Sequence, residues 1–189
     1  MKQFLGFLFL SLIVFYSCNT GGGKTNDPVI PIDTTQPDTM EVTNSQGMSM
    51  NLIAGDYLLL KNSLGENNSS SAAKAGAELH TALAGYRKVI EGETPDSLLE
   101  VIDDAIEHAS HISENKDLAH QREHFDLLSR DMFDLLLAID IDKSLFRIDC
   151  PMFNDGKGAF WISESGDNRN PYFGPVMPAD GVEEQPIRN

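Results

Sequence analysis

The residues best suited to hold an ion are four of the five histidines, His108, His111, His120 and His124, all between positions 108 and 124. His120 and His124 are spaced i, i+4, so on a helix both imidazoles project from one face. His108 and His111 are spaced i, i+3. Two imidazoles at such spacing can bind a divalent metal through their ring nitrogens. The string His120-Gln121-Arg122-Glu123-His124 is not the H-E-x-x-H of zinc proteases, because no glutamate directly follows the first histidine. At about 100° per residue, His108 and His124 flank the apolar stripes of their segments, while His111 and His120 face outward. The competing account is a solvated helix face for His111 and His120. His124, at a flank, can look across toward a docked tail.

A second group is soft. Cys150 and Met152 stand in Cys150-Pro151-Met152, and Met177 follows later. In an extended strand residues i and i+2 point the same way, so a thiolate and a thioether would face a common point. Such ligands select Cu(I), whereas carboxylates suit Mg or Ca. The ring face of Trp161 could lie against a bound monovalent cation. The competing account makes Met152, Met177 and Trp161 packing residues and Cys150 a small buried hydrophobe.

These side chains need a scaffold, and the apolar periodicity supplies one. Ile53, Tyr57, Leu60 and Leu64 recur at helical spacing from about Met50, and Gly65 offers a stop. A loop over 67–71 follows, with Ser70 or Ser71 available as a cap. Ala72, Ala75, Leu79, Ala82, Leu83, Tyr86 and Ile90 mark a second helix ended by Gly92. Thr94-Pro95 predicts a start, with Thr94 as N-cap and Pro95 at the first helical position. Leu98, Ile102, Ala105, Ala109 and Ile112 form the third stripe. A break at Asn115-Lys116-Asp117 precedes the fourth, Gln121, Phe125, Leu128, Met132, Leu135, Leu136 and Ile139. Four amphipathic segments with short polar loops predict an all-α, antiparallel up-and-down four-helix bundle over 48–143. No G-x-G-x-x-G or P-loop string occurs, which argues against a doubly wound nucleotide-binding fold.

From Phe146 the pattern changes to period two. Phe146–Cys150 and Gly158–Ser163 predict a short β-hairpin, and Asn170-Pro171-Tyr172-Phe173-Gly174 a turn with two aromatics. This 144–189 extension is too short for its own core and should pack its aromatics on the bundle.

The first residues read as an address. Phe4 to Tyr16 is almost wholly apolar, too short for a comfortable span but right for a signal-peptide core. It runs into Phe15-Tyr16-Ser17-Cys18, which resembles a bacterial lipobox with Phe15 in place of the usual leucine. Residues 1–17 are then a lipoprotein signal peptide and Cys18 the lipidated residue; an ordinary cleaved signal or an uncleaved anchor is the alternative. Positions 18–47, rich in Gly, Thr, Pro, Asn and Asp, read as a disordered tether with a reach of roughly 30 Å. If Cys18 carries lipid, Cys150 is left as a lone thiol.

The chain of 189 residues carries a formal net charge of -15. That surface repels phosphate backbones and excludes nucleic acid as a partner. With 41% hydrophobic residues, the chain is apolar enough for one folded core. No nucleophile–base pair has a recognisable spacing, and Asp103-Asp104 and Glu183-Glu184 read as solvated surface, so no enzyme activity is expected.

Cys150-Pro151-Met152, Gly158-Ala159-Phe160-Trp161-Ile162-Ser163 and Asn170-Pro171-Tyr172-Phe173-Gly174 with Met177 together resemble a bacterial periplasmic domain family of unknown function. That family occurs as stand-alone lipoproteins, many from Bacteroidetes, and appended to membrane-fusion subunits of copper/silver efflux pumps. Gln121-Arg122-Glu123-His124-Phe125 through Leu128-Ser129 looks like its last helix. The resemblance covers about Met50 to Val182. It implies heavy-metal handling, with copper as Cu(I) the expected ion and no established enzyme activity. By position the implied ligands are Cys150, Met152 and Met177, completed by His124, with Trp161, Asn170, Tyr172 and Phe173 in support. Asp180 stands where the family places its second cysteine, so a two-thiolate site is impossible there. The expected location is the cell envelope, on the outer membrane facing the periplasm, with surface exposure left open. Expected partners are the lipid membrane through Cys18 and efflux-pump or other envelope proteins. The alternative function is a non-catalytic envelope interaction module that binds no metal.

Overall fold

The computed structural model describes residues 39–164, 169–177 and 184–187. The chain divides into Met1–Pro37 and Asp38–Asn189, and the described residues all lie in the second unit. The signal segment, Cys18, tether positions 19–38 and Asp180 fall outside them. Four helices lead the described part: α1 (Thr39–Gly65), α2 (Ser69–Ile90), α3 (Asp96–Glu114) and α4 (Leu118–Ala138). They pack as the expected bundle, each sequence neighbour against the next. Among the described residues no helix is long and apolar enough to cross a membrane.

The apolar stripes bury as the periodicity requires. Ile53, Tyr57, Leu60 and Leu64 of α1 meet Leu79, Leu83 and Ile90 of α2, Ile102 and Ile112 of α3, and Phe125, Leu128, Met132 and Leu135 of α4 in one core. The helix starts differ from expectation. α1 begins at Thr39, not near Met50, so the last part of the 18–47 tether is helical. Pro37 is the last proline before Pro95, and helix propagates from its packed portion until a breaker stops it. Asn68, not Ser70 or Ser71, caps α2, its side chain accepting from the Ser71 amide at 3.0 Å. α3 starts one residue late, with Pro95 in the N-cap position and no side-chain cap bond.

Beyond α4 the chain forms strands β1 (Phe146–Cys150), β2 (Ala159–Ser163) and β3 (Glu184–Pro186). β1 pairs antiparallel with β2 from Phe146↔Ser163 to Cys150↔Ala159, which is the expected hairpin. β3 pairs with the other edge of β1, so the order is β2-β1-β3. That third strand was not expected: Glu184-Gln185-Pro186 has no apolar alternation, and its pairing is a purely backbone affair.

All five β2 residues are buried. The strand lies mainly against α4 and more lightly against α1, and α1 meets α4 directly where the Tyr57 and Phe125 rings stack at 5.2 Å. Tyr57 ties the three together. Its hydroxyl lies 2.7 Å from Ser129 Oγ and accepts the Ile162 amide at 3.2 Å, while Ser129 donates to the Phe125 carbonyl at 2.8 Å. With those roles taken, the Tyr57 hydroxyl donates to Ser129, and every member is satisfied. Burial pushes the Tyr57 hydroxyl far above the ordinary tyrosine range, so it remains a donor. Buried Lys61 adds a bond to Ser163 Oγ at 3.1 Å. Arg147 lies 4.1 Å from the centre of the Phe160 ring and 5.6 Å from that of Phe133.

The Asn170–Gly174 turn is a lock. Asn170 Oδ1 accepts from the amides of Tyr172 and Phe173, an Asx turn that closes the segment on itself. Tyr172 donates its hydroxyl to the Phe160 carbonyl, and its ring contacts Phe125, Phe153 and Trp161. Arg122 of α4 donates to the carbonyls of Pro171 at 2.8 Å and Leu64 at 3.2 Å, and to Asn67 Oδ1. Gly174 completes the lock at φ +66, where a Cβ would overlap the Asn67 carboxamide. Gly174→Ala therefore combines left-handed strain with a clash. It is expected to lower unfolding free energy by about 1–3 kcal/mol, read as a lower urea midpoint with unchanged helix content.

Candidate metal centre

α3 and α4 form an antiparallel pair joined by Asn115–Asp117, and that short turn sets which residues meet. Asp117 starts α4 by accepting the amides of Ala119 at 2.8 Å and His120 at 3.1 Å. The buried Gln121 carboxamide nitrogen lies 3.0 Å from the Ser69 carbonyl, 3.2 Å from that of Ile112 and 2.7 Å from that of Asn115. α4 is thereby pinned to the end of α3 and the start of α2. His111 and His120 lie about equally far from the turn on either side, as do His108 and His124, so all four rings face one another across the helix pair.

His124 is the hub, its ring in contact with the other three imidazoles. His111 and His124 stack at 4.4 Å between centroids with 11° between planes. His120 meets His124 edge-on at 4.6 Å, and His108 lies 5.5 Å from His124. His111, His120 and His124 each offer a nitrogen within 4.8 Å of the other two, the one cluster of His, Cys, Asp and Glu donors among the described residues that could hold a metal ion. His108 Nδ1 lies 3.3 Å from His124 Nδ1. The outward placement expected for His111 and His120 holds for α3 and α4 taken singly. It fails for the pair, because each is half-buried against the facing helix.

The electrostatics favour free lone pairs. Burial lowers the pKa of His108, and burial together with the neighbouring imidazoles lowers that of His124. Neutral rings are the form that binds metal. Behind His108, Asp131 Oδ2 lies 3.9 Å from Nε2. That oxygen is buried without a hydrogen-bond partner. Burial first, then the like charges of Asp104 and Asp134, push the Asp131 carboxyl up to about 7. Its folded-state pKa thus exceeds its unfolded value, so the metal-free fold loses stability as pH rises from about 4 to about 7. Screening by solvent at this part-exposed group reduces the full value of about 1.4 kcal/mol per unit, leaving a loss on the order of 2–3 kcal/mol. Asp131→Asn is expected to flatten that decline and to raise the melting temperature above pH 7, read by thermal unfolding across pH 4–8.

The sulfur residues do not share one environment. β1 ends at Cys150, and Met152 adopts αR backbone in the following turn (φ -90, ψ -13). The strand alternation that would have aimed both sulfurs alike stops between them. Cys150 is buried, its Sγ 3.8 Å from Asn170 Nδ2, whereas Met152 is 63% exposed. Met177 is half-buried at the end of the 3-10 turn Gly174–Val176. Trp161, opposite Ile148 in the sheet register, is wholly buried, so its ring faces are taken up by core. His124 was expected to complete the sulfur site. Its ring is instead engaged by the histidines of α3 and by His120, and Cys150 is not in that donor cluster. Asn170, Tyr172 and Phe173 form the lock already described. Asp131 carried no sequence signal of its own. The spacing of the four histidines about the 115–117 turn did, once the helices are read as a pair.

Residues 53–144 match the family model described as "Protein of unknown function (DUF3347)". The DUF3347 match is just under half of the chain. It runs from α1 to the residue pair before β1 and contains all four histidines and Asp131. Of the 50–182 resemblance it covers the helical part and stops short of the Cys150-to-Met177 motif. Neither a curated protein nor a solved structure is significantly similar to the chain.

Proposed function

We propose that this protein is a membrane-tethered, non-catalytic metal-binding protein of the cell envelope, holding copper or zinc on the imidazoles of His111, His120 and His124. The observation that carries this is the convergence of those three donors within 4.8 Å on two helices locked at their shared turn. An all-imidazole set suits Cu(II), Zn(II) and Ni(II) rather than the Cu(I) that soft sulfurs would select. The envelope setting is supported by the signal-like residues 4–16, by the lipobox-like Phe15–Cys18 string and by the efflux association of the resembled family. Cys18 would carry the lipid, and the tether would hold the bundle near the bilayer without pressing an acidic surface onto it.

The test is a calorimetric titration of the full chain, purified without a metal-affinity tag, with Zn(II) and with Cu(II). One ion bound per chain, lost in the His120→Ala/His124→Ala variant, is expected. Absence of saturable binding by either ion would overturn the assignment.

A further inference from the structure

Three imidazoles leave a tetrahedral ion one ligand short, and His108 with Asp131 is placed to supply it. We propose that His108 is the fourth ligand, through Nδ1, and that Asp131 is the carboxylate that orients its ring. This rests on the metal-binding function proposed above.

Two nitrogens on one tetrahedral ion, each about 2.0–2.1 Å from it, stand about 3.3 Å apart. His108 Nδ1 and His124 Nδ1 stand at 3.3 Å. Two histidine rings facing nitrogen to nitrogen can share a single proton, or they can share a cation. What separates these is the other side of His108. A metal-bound histidine characteristically donates its second ring N–H to a carboxylate, which fixes the tautomer and the ring plane. Asp131 Oδ2 is the group 3.9 Å from His108 Nε2, and it is a buried oxygen with no other hydrogen-bond partner. A carboxylate sunk beside an imidazole contributes nothing to the core and is otherwise unexplained. His108 stands just outside the three-nitrogen cluster, so binding requires its ring to rotate toward the ion, bringing Nδ1 onto the metal with Nε2–H still on the side of Oδ2. The site is then a closed four-histidine cage, two ligands from each helix, with the carboxylate behind it on α4.

Cobalt(II) substituted into the full chain reads the coordination number directly. The wild-type protein is expected to give the intense visible bands of a four-coordinate ion. His108→Ala should replace them with the weak bands of a higher-coordinate, water-filled site and lower Zn(II) affinity by about 10-fold or more. Asp131→Asn should keep the four-coordinate bands and lower Zn(II) affinity about 10-fold, while the metal-free protein melts no lower than wild type. That combination of unharmed fold and weakened binding is one a purely structural residue would not produce. Circular dichroism checks folding, and His108→Gln replaces His108→Ala if the latter is unfolded. A His108 variant whose cobalt spectrum superimposes on wild type overturns the ligand assignment. Unchanged Zn(II) affinity in Asp131→Asn, or loss of its four-coordinate bands, overturns the orienting role. Wild-type protein that binds no cobalt and no zinc overturns this proposal together with the function it rests on. Wild-type binding with an unaffected His108 variant overturns this proposal alone.

Discussion

His120→Ala/His124→Ala is expected to lower Zn(II) and Cu(II) affinity by more than about 100-fold. Loss of a hydrogen-bond partner behind a ligand already costs about 10–100-fold, and this variant removes two of the three clustered donors from the metal itself. The fold should survive. Both side chains are half-buried at the α3–α4 seam, and alanine is the stronger helix former. α4 keeps the features that hold it: the Asp117 cap, the Gln121 bonds and the Arg122 bonds to Leu64, Asn67 and Pro171. The clean readout is a thermal melt with and without metal. An ion that binds only the folded state adds about 2.7 kcal/mol at a hundred times its dissociation constant. The wild-type chain should gain that stabilisation and the variant should not, while the two metal-free proteins melt alike. A wild-type melting temperature indifferent to both ions would contradict the prediction.

Trp161→Ala is expected to cost about 3–5 kcal/mol of unfolding free energy, the range for emptying a large aromatic site in a core. Trp161 is fully buried in β2 and touches Tyr172 edge-on at 6.1 Å between centroids. β2 in turn packs on α4 and, through Tyr57 and Lys61, on α1, so the cavity would open where the sheet joins the bundle. The indole N–H has no hydrogen-bond partner among the described residues. The loss is therefore packing alone, with no orphaned acceptor added. At about 2–4 °C per kcal/mol for a domain of this size, the melting temperature should fall by roughly 6–20 °C. Zn(II) affinity measured well below that temperature should not change, because the four histidines lie at the α3–α4 seam rather than under β2. A change of less than about 1 kcal/mol, read by urea denaturation, would mean that the site collapses around the missing ring. Weakened metal affinity in a folded Trp161→Ala protein would restore this ring to the binding site, as its sequence neighbourhood suggested.

The helices were legible because burial writes a 3.6-residue period into the chain, and the stripes from Ile53 to Leu136 are those that the core buries. The β1–β2 hairpin was legible for the same reason at period two. Three details were not. Asn68 rather than a serine caps α2, because several side chains in a polar loop are competent and only backbone geometry selects one. The helical residues before Met50 carry little periodic signal of their own. β3 pairs through its backbone and needs no apolar side chain to do so. The histidine site was half legible. A helical wheel treats one helix at a time and sets His111 and His120 outside. In an antiparallel pair the outer flank of one helix is covered by its neighbour, and there those rings meet.

By itself the sequence determined the four helices, the β1–β2 hairpin, the acidic surface and the presence of four histidines within two consecutive helices. These are consequences of composition and local spacing. Only the tertiary structure decided which side chains share a site. Folding α3 back on α4 brought His111, His120 and His124 together and set Asp131 behind His108. Ending β1 at Cys150 parted it from Met152, and burying β2 on both faces put Trp161 into the core. Each of these depends on contacts between residues distant in the chain, and neither periodicity nor motif carries the angle at which one element meets the next.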